Sequence, residues 1–168
     1  MQADHKDGAE IELSYRRYGS ALLLYAAAIT GERSRAQDAV QQVFLKLLES
    51  GRLRNALDAK SYLFACVRNA VLNDRKARQR DVALDPECAW FEPPHRDFAA
   101  ELHLRRALWE LPEDQREVTI LHTWGELTFA QIAEVLNISA NTAASRYRYA
   151  LAKLREALCA KEDCRAHS

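Results

Sequence analysis

The chain has 168 residues, with 24 basic and 24 acidic side chains and a formal net charge of zero. That length fits one domain or two small ones, and 48% hydrophobic with 29% charged residues excludes a disordered chain. Only 5 Gly and 4 Pro argue against a turn-rich all-β protein, and the zero charge argues at first sight against a nucleic-acid binder. The opening MQADHKDGAE shows no basic start followed by an apolar stretch, and the longest apolar run, Ala21 to Ile29, is about half a membrane span. The expectation is a soluble, cytoplasmic protein whose thiols stay reduced.

Helical periodicity fills most of the chain. From Ile11 to Ile29, Leu13, Tyr18, Leu22, Tyr25 and Ile29 form an apolar stripe, with a step of five after Leu13 and three-to-four-residue steps from Tyr18 on, and Gly31 is a stop signal. Ser34 can cap a second helix with an apolar stripe of Ala36, Val40, Val43, Phe44, Leu47 and Leu48, ended by Gly51. Residues 50–58 read as a loop. Ser61 opens a third helix with Leu63, Phe64, Val67, Val71 and Leu72 inward, and it runs on into a basic stretch ending at Arg80. Residues 81–97 hold five acids against Arg96 and three of the four prolines, so they predict an extended linker. Phe98 to Trp109 is the next helix, with Leu102, Arg105 and Leu108 in step. Pro112, with Glu113 and Asp114 beside it, suits the first turn of a helix that reaches Trp124 and stops at Gly125. Thr128 caps a short helix, Phe129 to Leu136, and a tight turn through Asn137 leads to Ser139, an N-cap for a last helix from Ala140 to about Leu158. Its inward face carries Ala143, Tyr147, Ala150, Leu154 and Ala157/Leu158. The fold class is all-α, with two small helical modules joined by an acidic, Pro-containing linker.

The stretch from Thr128 to Arg146 has helix-turn-helix form. Ala133 is small enough for a second helix to cross closely, and Ile132, Leu136, Ile138 and Ala143 would fill the angle between them. In such units the second helix offers its first turns to base edges in the major groove. A helical hairpin that never meets DNA has the same pattern, so the segment alone leaves both readings open.

Longer stretches decide between them by resemblance. Leu111-Pro-Glu-Asp-Gln-Arg-Glu-Val118, the helix-turn-helix, and Arg146-Tyr-Arg-Tyr-Ala-Leu-Ala-Lys-Leu-Arg155 resemble the promoter −35-binding region of extracytoplasmic-function (group IV) RNA polymerase sigma factors. Gln37 to Leu48 resembles that family's core-polymerase-binding helix, Ser61 to Asp74 its −10-region helix, and Tyr18 to Gly31 its first helix. The matches span about residues 11 to 158 in the family's order. The resemblance implies residues 1–80 as a region 2-like module, 81–97 as linker and 98–168 as a region 4-like module with the helix-turn-helix. It implies a protein that binds core RNA polymerase and directs it to promoter DNA, and that an anti-sigma protein commonly holds inactive. The alternative is a helix-turn-helix DNA-binding regulator that does not engage polymerase; the helix from Gln37 to Leu48 discriminates, since a plain regulator needs no docking face there.

Residue roles follow from the same resemblance. Asp38, Gln41, Gln42 and Lys46 form the polar face that would dock on polymerase, with Gln42 where the family more often has Glu; an ordinary solvated helix face would look alike. For the −10 element the candidates are Arg68, Asn69, Asn73, Arg75, Lys76, Arg78 and Arg80 on the third helix and Arg52, Arg54 and Asn55 in the loop before it. The helix-end cations are too dense to pair along their own helix, and phosphates would neutralise them; the helix macrodipole also favours cations at such an end. For the −35 element the candidates are Asn141, Thr142, Ser145, Arg146, Arg148 and Tyr149. Arg146 belongs to the family's usual Ser-Arg pair, whereas Ala144 and Tyr149 stand where Lys and Arg are common.

Four cysteines, Cys66, Cys88, Cys159 and Cys164, contain no C-x-x-C pair. Cys159, Cys164 and His167 at the C-terminus fit no zinc pattern and supply three ligands where a structural site takes four, so no metal is expected; Cys66 and His122 are expected in the interior. No nucleophile–base pair, phosphate-cradling loop or HExxH helix is present, so neither catalysis nor a cofactor is expected. Counted by segment, residues 1–80 carry 14 basic against 9 acidic groups, 81–100 carry 1 against 5, and 101–168 carry 9 against 10. The zero therefore hides a basic first module joined to an acidic linker, and nucleic acid is not excluded.

Overall fold

The structure, a computed structural model, describes residues 2–51, 53, 56, 58–78 and 98–165, with side chains described from residue 8 to residue 159 apart from 98–102. The linker expected at 81–97 lies outside the described residues. Seven helices and no strand are found among those described: α1 (Gln2–Thr30), α2 (Arg33–Ser50), α3 (Ala59–Arg78), α4 (Phe98–Glu110), α5 (Glu113–Thr123), α6 (Phe129–Leu136) and α7 (Ala140–Arg165). They form two compact units, the first built on α1 to α3 and the second on α4, α5 and α7 with most of α6.

In the first unit the three helices pack on one another. Leu22, Tyr25, Leu63, Phe64, Val67 and Val71 are all but inaccessible to solvent, and the Tyr25 and Phe64 rings meet edge to face with centroids 5.6 Å apart. Truncating a ring so placed costs about 3–5 kcal/mol, which makes this pair a main source of the unit's stability. The predicted stripe of α2 holds at Ala36, Val40, Val43, Phe44 and Leu47, which are buried, but Leu48 is 51% exposed. Leu13 is likewise 65% exposed. Nine residues separate it from Leu22, and at about 100° per residue that places it half a turn away, on the opposite side of α1. Ile11 and Ser14 face inward instead.

The helix ends explain where the chain turns. Gly31 (φ 72°) and Gly51 (φ 60°) take the left-handed conformation that a side chain disfavours, and their N–H groups close the helices onto the carbonyls of Ala27 and Leu47 at 2.9 and 3.0 Å. Two expected caps are corrected. Ser34 lies inside α2, whose N-cap is Glu32 without a side-chain cap bond; the Ser34 hydroxyl donates to the Glu32 carboxylate. Ser61 does not open α3: Asp58 does, its Oδ1 accepting from the N–H of Lys60 at 3.1 Å and of Ser61 at 3.4 Å, while Ser61 Oγ donates to Oδ2. The Asp58 carboxylate accepts from two orphan donors at once, and its charge suits the positive helix end.

In the second unit α7 packs on α5 and α4. Ala107, Leu111, Ala150 and Leu154 form a buried cluster flanked by Leu108, Ala157 and Leu158, and Val118, Ile120, Leu121, Leu127, Ile132 and Ala143 are buried as well. Pro112 sits one place earlier than expected, at the N-cap of α5, where its carbonyl accepts from the N–H of Gln115 and Arg116 at 3.0 and 2.9 Å. Arg116 lies over the Trp109 ring, 4.1 Å from its centroid, and ties α5 to α4. Burial pulls the Arg116 pKa down, against the opposing pull of Glu113 and Glu117. The last helix runs to Arg165, seven residues past the expected end.

Replacing Asp58 by Ala is expected to destabilise the first unit by about 1 kcal/mol, and Asp58→Asn by a few tenths. Urea unfolding followed by circular dichroism, or amide exchange at the start of α3, checks the difference.

Candidate functional site

The helix-turn-helix is built from local devices. Thr128 Oγ1 accepts from the Gln131 N–H at 3.2 Å, and Gln131 Oε1 accepts from the Thr128 N–H at 2.8 Å. This reciprocal box was legible in the Thr-Phe-Ala-Gln spacing, although only the Thr128 cap was foreseen. Asn137 takes the left-handed conformation (φ 55°), as expected of the turn residue, and the Ile138 N–H bonds the Ala133 carbonyl at 3.0 Å. Ser139 caps α7, its Oγ accepting from the Thr142 N–H at 3.0 Å. Ile132, Leu136 and Ala143 are buried as predicted, and Ile138 is half-buried.

His122 is half-buried, and its role was not foreseen. Its Nδ1 donates to the Leu127 carbonyl at 2.8 Å. Its ring stacks on Phe129 at 4.6 Å and meets the Tyr147 ring edge-on at 4.6 Å. One imidazole thereby ties α5, the turn before α6, α6 itself and α7. In that turn Glu126, not the adjacent Gly125, takes positive φ (51°), at a cost of about 1–2 kcal/mol. Leu127 is buried in compensation, to 1% exposure.

Along α7 the candidate −35 readers occupy one end. Asn141 and Thr142 are exposed, Ser145 and Arg146 are half-buried, and Arg148 and Tyr149 are exposed. The Thr142 hydroxyl is shared with Ser139 Oγ at 2.8 Å. Arg148 lies 5.6 Å from the centroid of the Tyr149 ring. Arg146 Nε bonds Asp114 Oδ2 at 3.1 Å, a contact between helices that local spacing does not reveal.

On α3, Arg68 is half-buried, while Asn69, Asn73, Arg75, Lys76 and Arg78 are exposed. The expectation that these cations could not pair along their helix is corrected at one position. Arg78 Nε bonds Asp74 Oδ1 at 3.2 Å, one turn back. A pair this exposed is worth well under about 1 kcal/mol and yields readily to a phosphate. Arg52, Arg54, Asn55 and Arg80 lie outside the described residues.

On α2, Asp38, Gln41, Gln42 and Lys46 are all exposed, on the side away from the buried stripe. Two residues of this side were missed. Leu45 (58% exposed) lies amid the four polar residues, and Leu48 (51% exposed) flanks them. Their exposure could have been read from their phase against Val40, Phe44 and Leu47.

No cluster that could hold a metal ion is found among the described residues, and His167 and the Cys164 side chain lie outside them. No helix among the described residues is long and apolar enough to cross a membrane.

The chain thus presents two helical units, one with an exposed polar and cationic surface and one with a capped helix-turn-helix. Comparison with known proteins names the kind. Residues 14–81 match the family model described as Sigma-70 region 2, and residues 101–154 match Sigma-70, region 4. The RNA polymerase sigma-E factor of Streptomyces coelicolor is 33% identical over 165 residues, covering 94% of this chain and 91% of that protein. The ECF RNA polymerase sigma factor SigL of Mycobacterium tuberculosis is 29% identical over 157 residues, covering 89% of both. The fold is shared with the sigma factor RpoE from Bartonella quintana, solved in complex with the anti-sigma factor NepR: TM-score 0.77, 22% identity, 89% of this chain and 96% of that one. The chain belongs to the extracytoplasmic-function family of RNA polymerase sigma factors. It is an alternative sigma factor that directs transcription initiation with RNA polymerase, and the region 2 match sets aside a regulator that works without polymerase.

Cys66 and Cys159 differ in their surroundings. Burial pushes the Cys66 thiol up, partly offset by its hydrogen bond with Tyr62, whereas Cys159 is exposed. Iodoacetamide at pH 7.5 is expected to label Cys159 first and Cys66 several-fold more slowly, since the thiolate is the reacting form; peptide mass spectrometry over time checks the order.

Proposed function

We propose that the two units divide promoter recognition between them. The first, residues 1–80, binds core polymerase and engages the −10 element; the second, residues 98–168, reads the −35 element; residues 81–97 link them. The observation that carries this reading is the capped α7, whose first turns leave Asn141 and Thr142 exposed. Asn pairs with adenine edges, and Thr offers a hydroxyl to a base or a methyl to thymine. Ser145, Arg146, Arg148 and Tyr149 extend that surface along the helix.

In the first unit, Asp38, Gln41, Gln42 and Lys46 on α2 form the polymerase-docking face, with the exposed Leu45 among them supplying the apolar contact that interface cores use. Arg68, Asn69, Asn73, Arg75, Lys76, Arg78 and Arg80 face the −10 element, the cations through phosphates and the amides through bases. Arg52, Arg54 and Asn55, in the loop before α3, hold an unstacked base by its polar edge. With a balanced net charge, the chain alone binds DNA weakly, and polymerase supplies much of the affinity.

The protein acts in the cytoplasm, catalyses no reaction of its own and uses no cofactor. An anti-sigma protein holds it inactive by covering these faces; the structurally similar Bartonella quintana RpoE was solved in complex with the anti-sigma factor NepR.

Reconstituted with core polymerase and genomic DNA, the protein is expected to produce discrete run-off transcripts that core enzyme alone does not. Asp38→Arg combined with Gln41→Arg is expected to weaken polymerase binding at least about tenfold while the circular dichroism melt stays unchanged. Unchanged affinity in a fluorescence titration would remove α2 from the interface.

A further inference from the structure

Arg146 and Asp114 are 32 residues apart in the sequence, and their side chains meet across two helices of one unit, α7 and α5. The other ion pairs described here, Arg16–Glu12, Arg35–Glu32 and Arg78–Asp74, join neighbours on the same chain segment. The Asp114 carboxylate is itself fixed. It stands in the first turn of α5, where the positive helix end favours it, and its Oδ1 accepts from the Gln115 N–H at 3.0 Å. Its Oδ2 takes the Arg146 Nε–H at 3.1 Å.

The pairing uses one of the five N–H donors of the guanidinium. A guanine edge can be bonded bidentately either through Nε and one terminal nitrogen or through the two terminal nitrogens. With Nε held by Asp114, the end-on arrangement remains. An unrestrained Arg samples both arrangements and many rotamers, and it pays that entropy on binding. We propose that Asp114 is a positioning residue for base reading: it presents the Arg146 guanidinium end-on to a guanine of the −35 element and so sets the sharpness of selection at one base pair. This rests on the assignment of Arg146 to −35 recognition.

The test uses the holoenzyme and a promoter library randomised over the −35 hexamer, with bound DNA sequenced against input. Arg146→Ala is expected to flatten preference at a single position roughly tenfold, the lower part of the range for a bidentate contact. Asp114→Asn, which keeps the size and an acceptor but loses the charge, and Asp114→Ala are expected to flatten that same position at least about threefold. Asp114→Glu retains most of the preference. The melting temperature and polymerase affinity of Asp114→Asn should match the parent protein, which separates positioning from folding.

An Arg146→Ala protein that leaves every position as sharp as before removes Arg146 from base reading and the proposal with it. Flattening by Arg146→Ala but not by either Asp114→Asn or Asp114→Ala leaves the reader assignment standing and overturns the positioning role. Tighter binding of Asp114→Ala across all sequences would show that the carboxylate restrains Arg146 from DNA, and it too overturns the proposal.

Discussion

The helix-turn-helix depends on one imidazole. Short helices such as the eight-residue α6 cannot hold themselves together by backbone bonds alone, and something has to fix their angle to the neighbouring helices. His122 does this with a hydrogen bond from Nδ1 to the Leu127 carbonyl and with ring contacts to Phe129 and Tyr147. The bond to a carbonyl, which can only accept, assigns the proton to Nδ1 and makes the ring's orientation definite. It also accounts for the strained turn. Glu126 at positive φ brings the Leu127 side chain into the core and its carbonyl to His122 at once. A Phe or Leu at 122 would fill the space but leave that buried carbonyl without its donor.

Much of the architecture was legible where a cause lies within one turn of its effect. Gly31, Gly51, Thr128, Asn137 and Ser139 act on backbone within four residues of themselves, and each could be read from the chain. Apolar periodicity found the stripes, and it failed at Leu13, five residues before Tyr18, and at Leu48, about 100° round the helix from Leu47, because both lie out of phase with the buried side. The caps of α2 and α3 were misread because a hydroxyl near a helix start looks like a cap: Ser34 lies inside α2, whose N-cap Glu32 makes no side-chain cap bond, and at α3 the Asp58 carboxylate takes the donors.

What the sequence could not reveal joins residues distant along it. Arg116 over Trp109, His122 on Tyr147 and Arg146 on Asp114 each span from seven to thirty-two positions, and no spacing rule links them. The candidate contact residues were found largely by resemblance, and physical reading added what resemblance does not carry. Thr142 and Ser139 share a hydrogen bond, Arg78 is already paired, and Leu45 puts an apolar side chain in the middle of a polar face.

The length of α7 has a mechanical consequence. Its packing on α4 includes Ala150 and Leu154, while Asn141 lies nine residues before Ala150, about 13.5 Å along the axis at 1.5 Å per residue. Ala107 and Ala150 are small members of that buried cluster, and the angle of α7 can be measured from there. A tilt of about 15° there would swing the leading end by about 3.5 Å, close to one base-pair step of DNA. On the proposed −35 reading, register on the promoter becomes a question of the angle of α7, which the buried cluster around Ala107 and Ala150 helps to set.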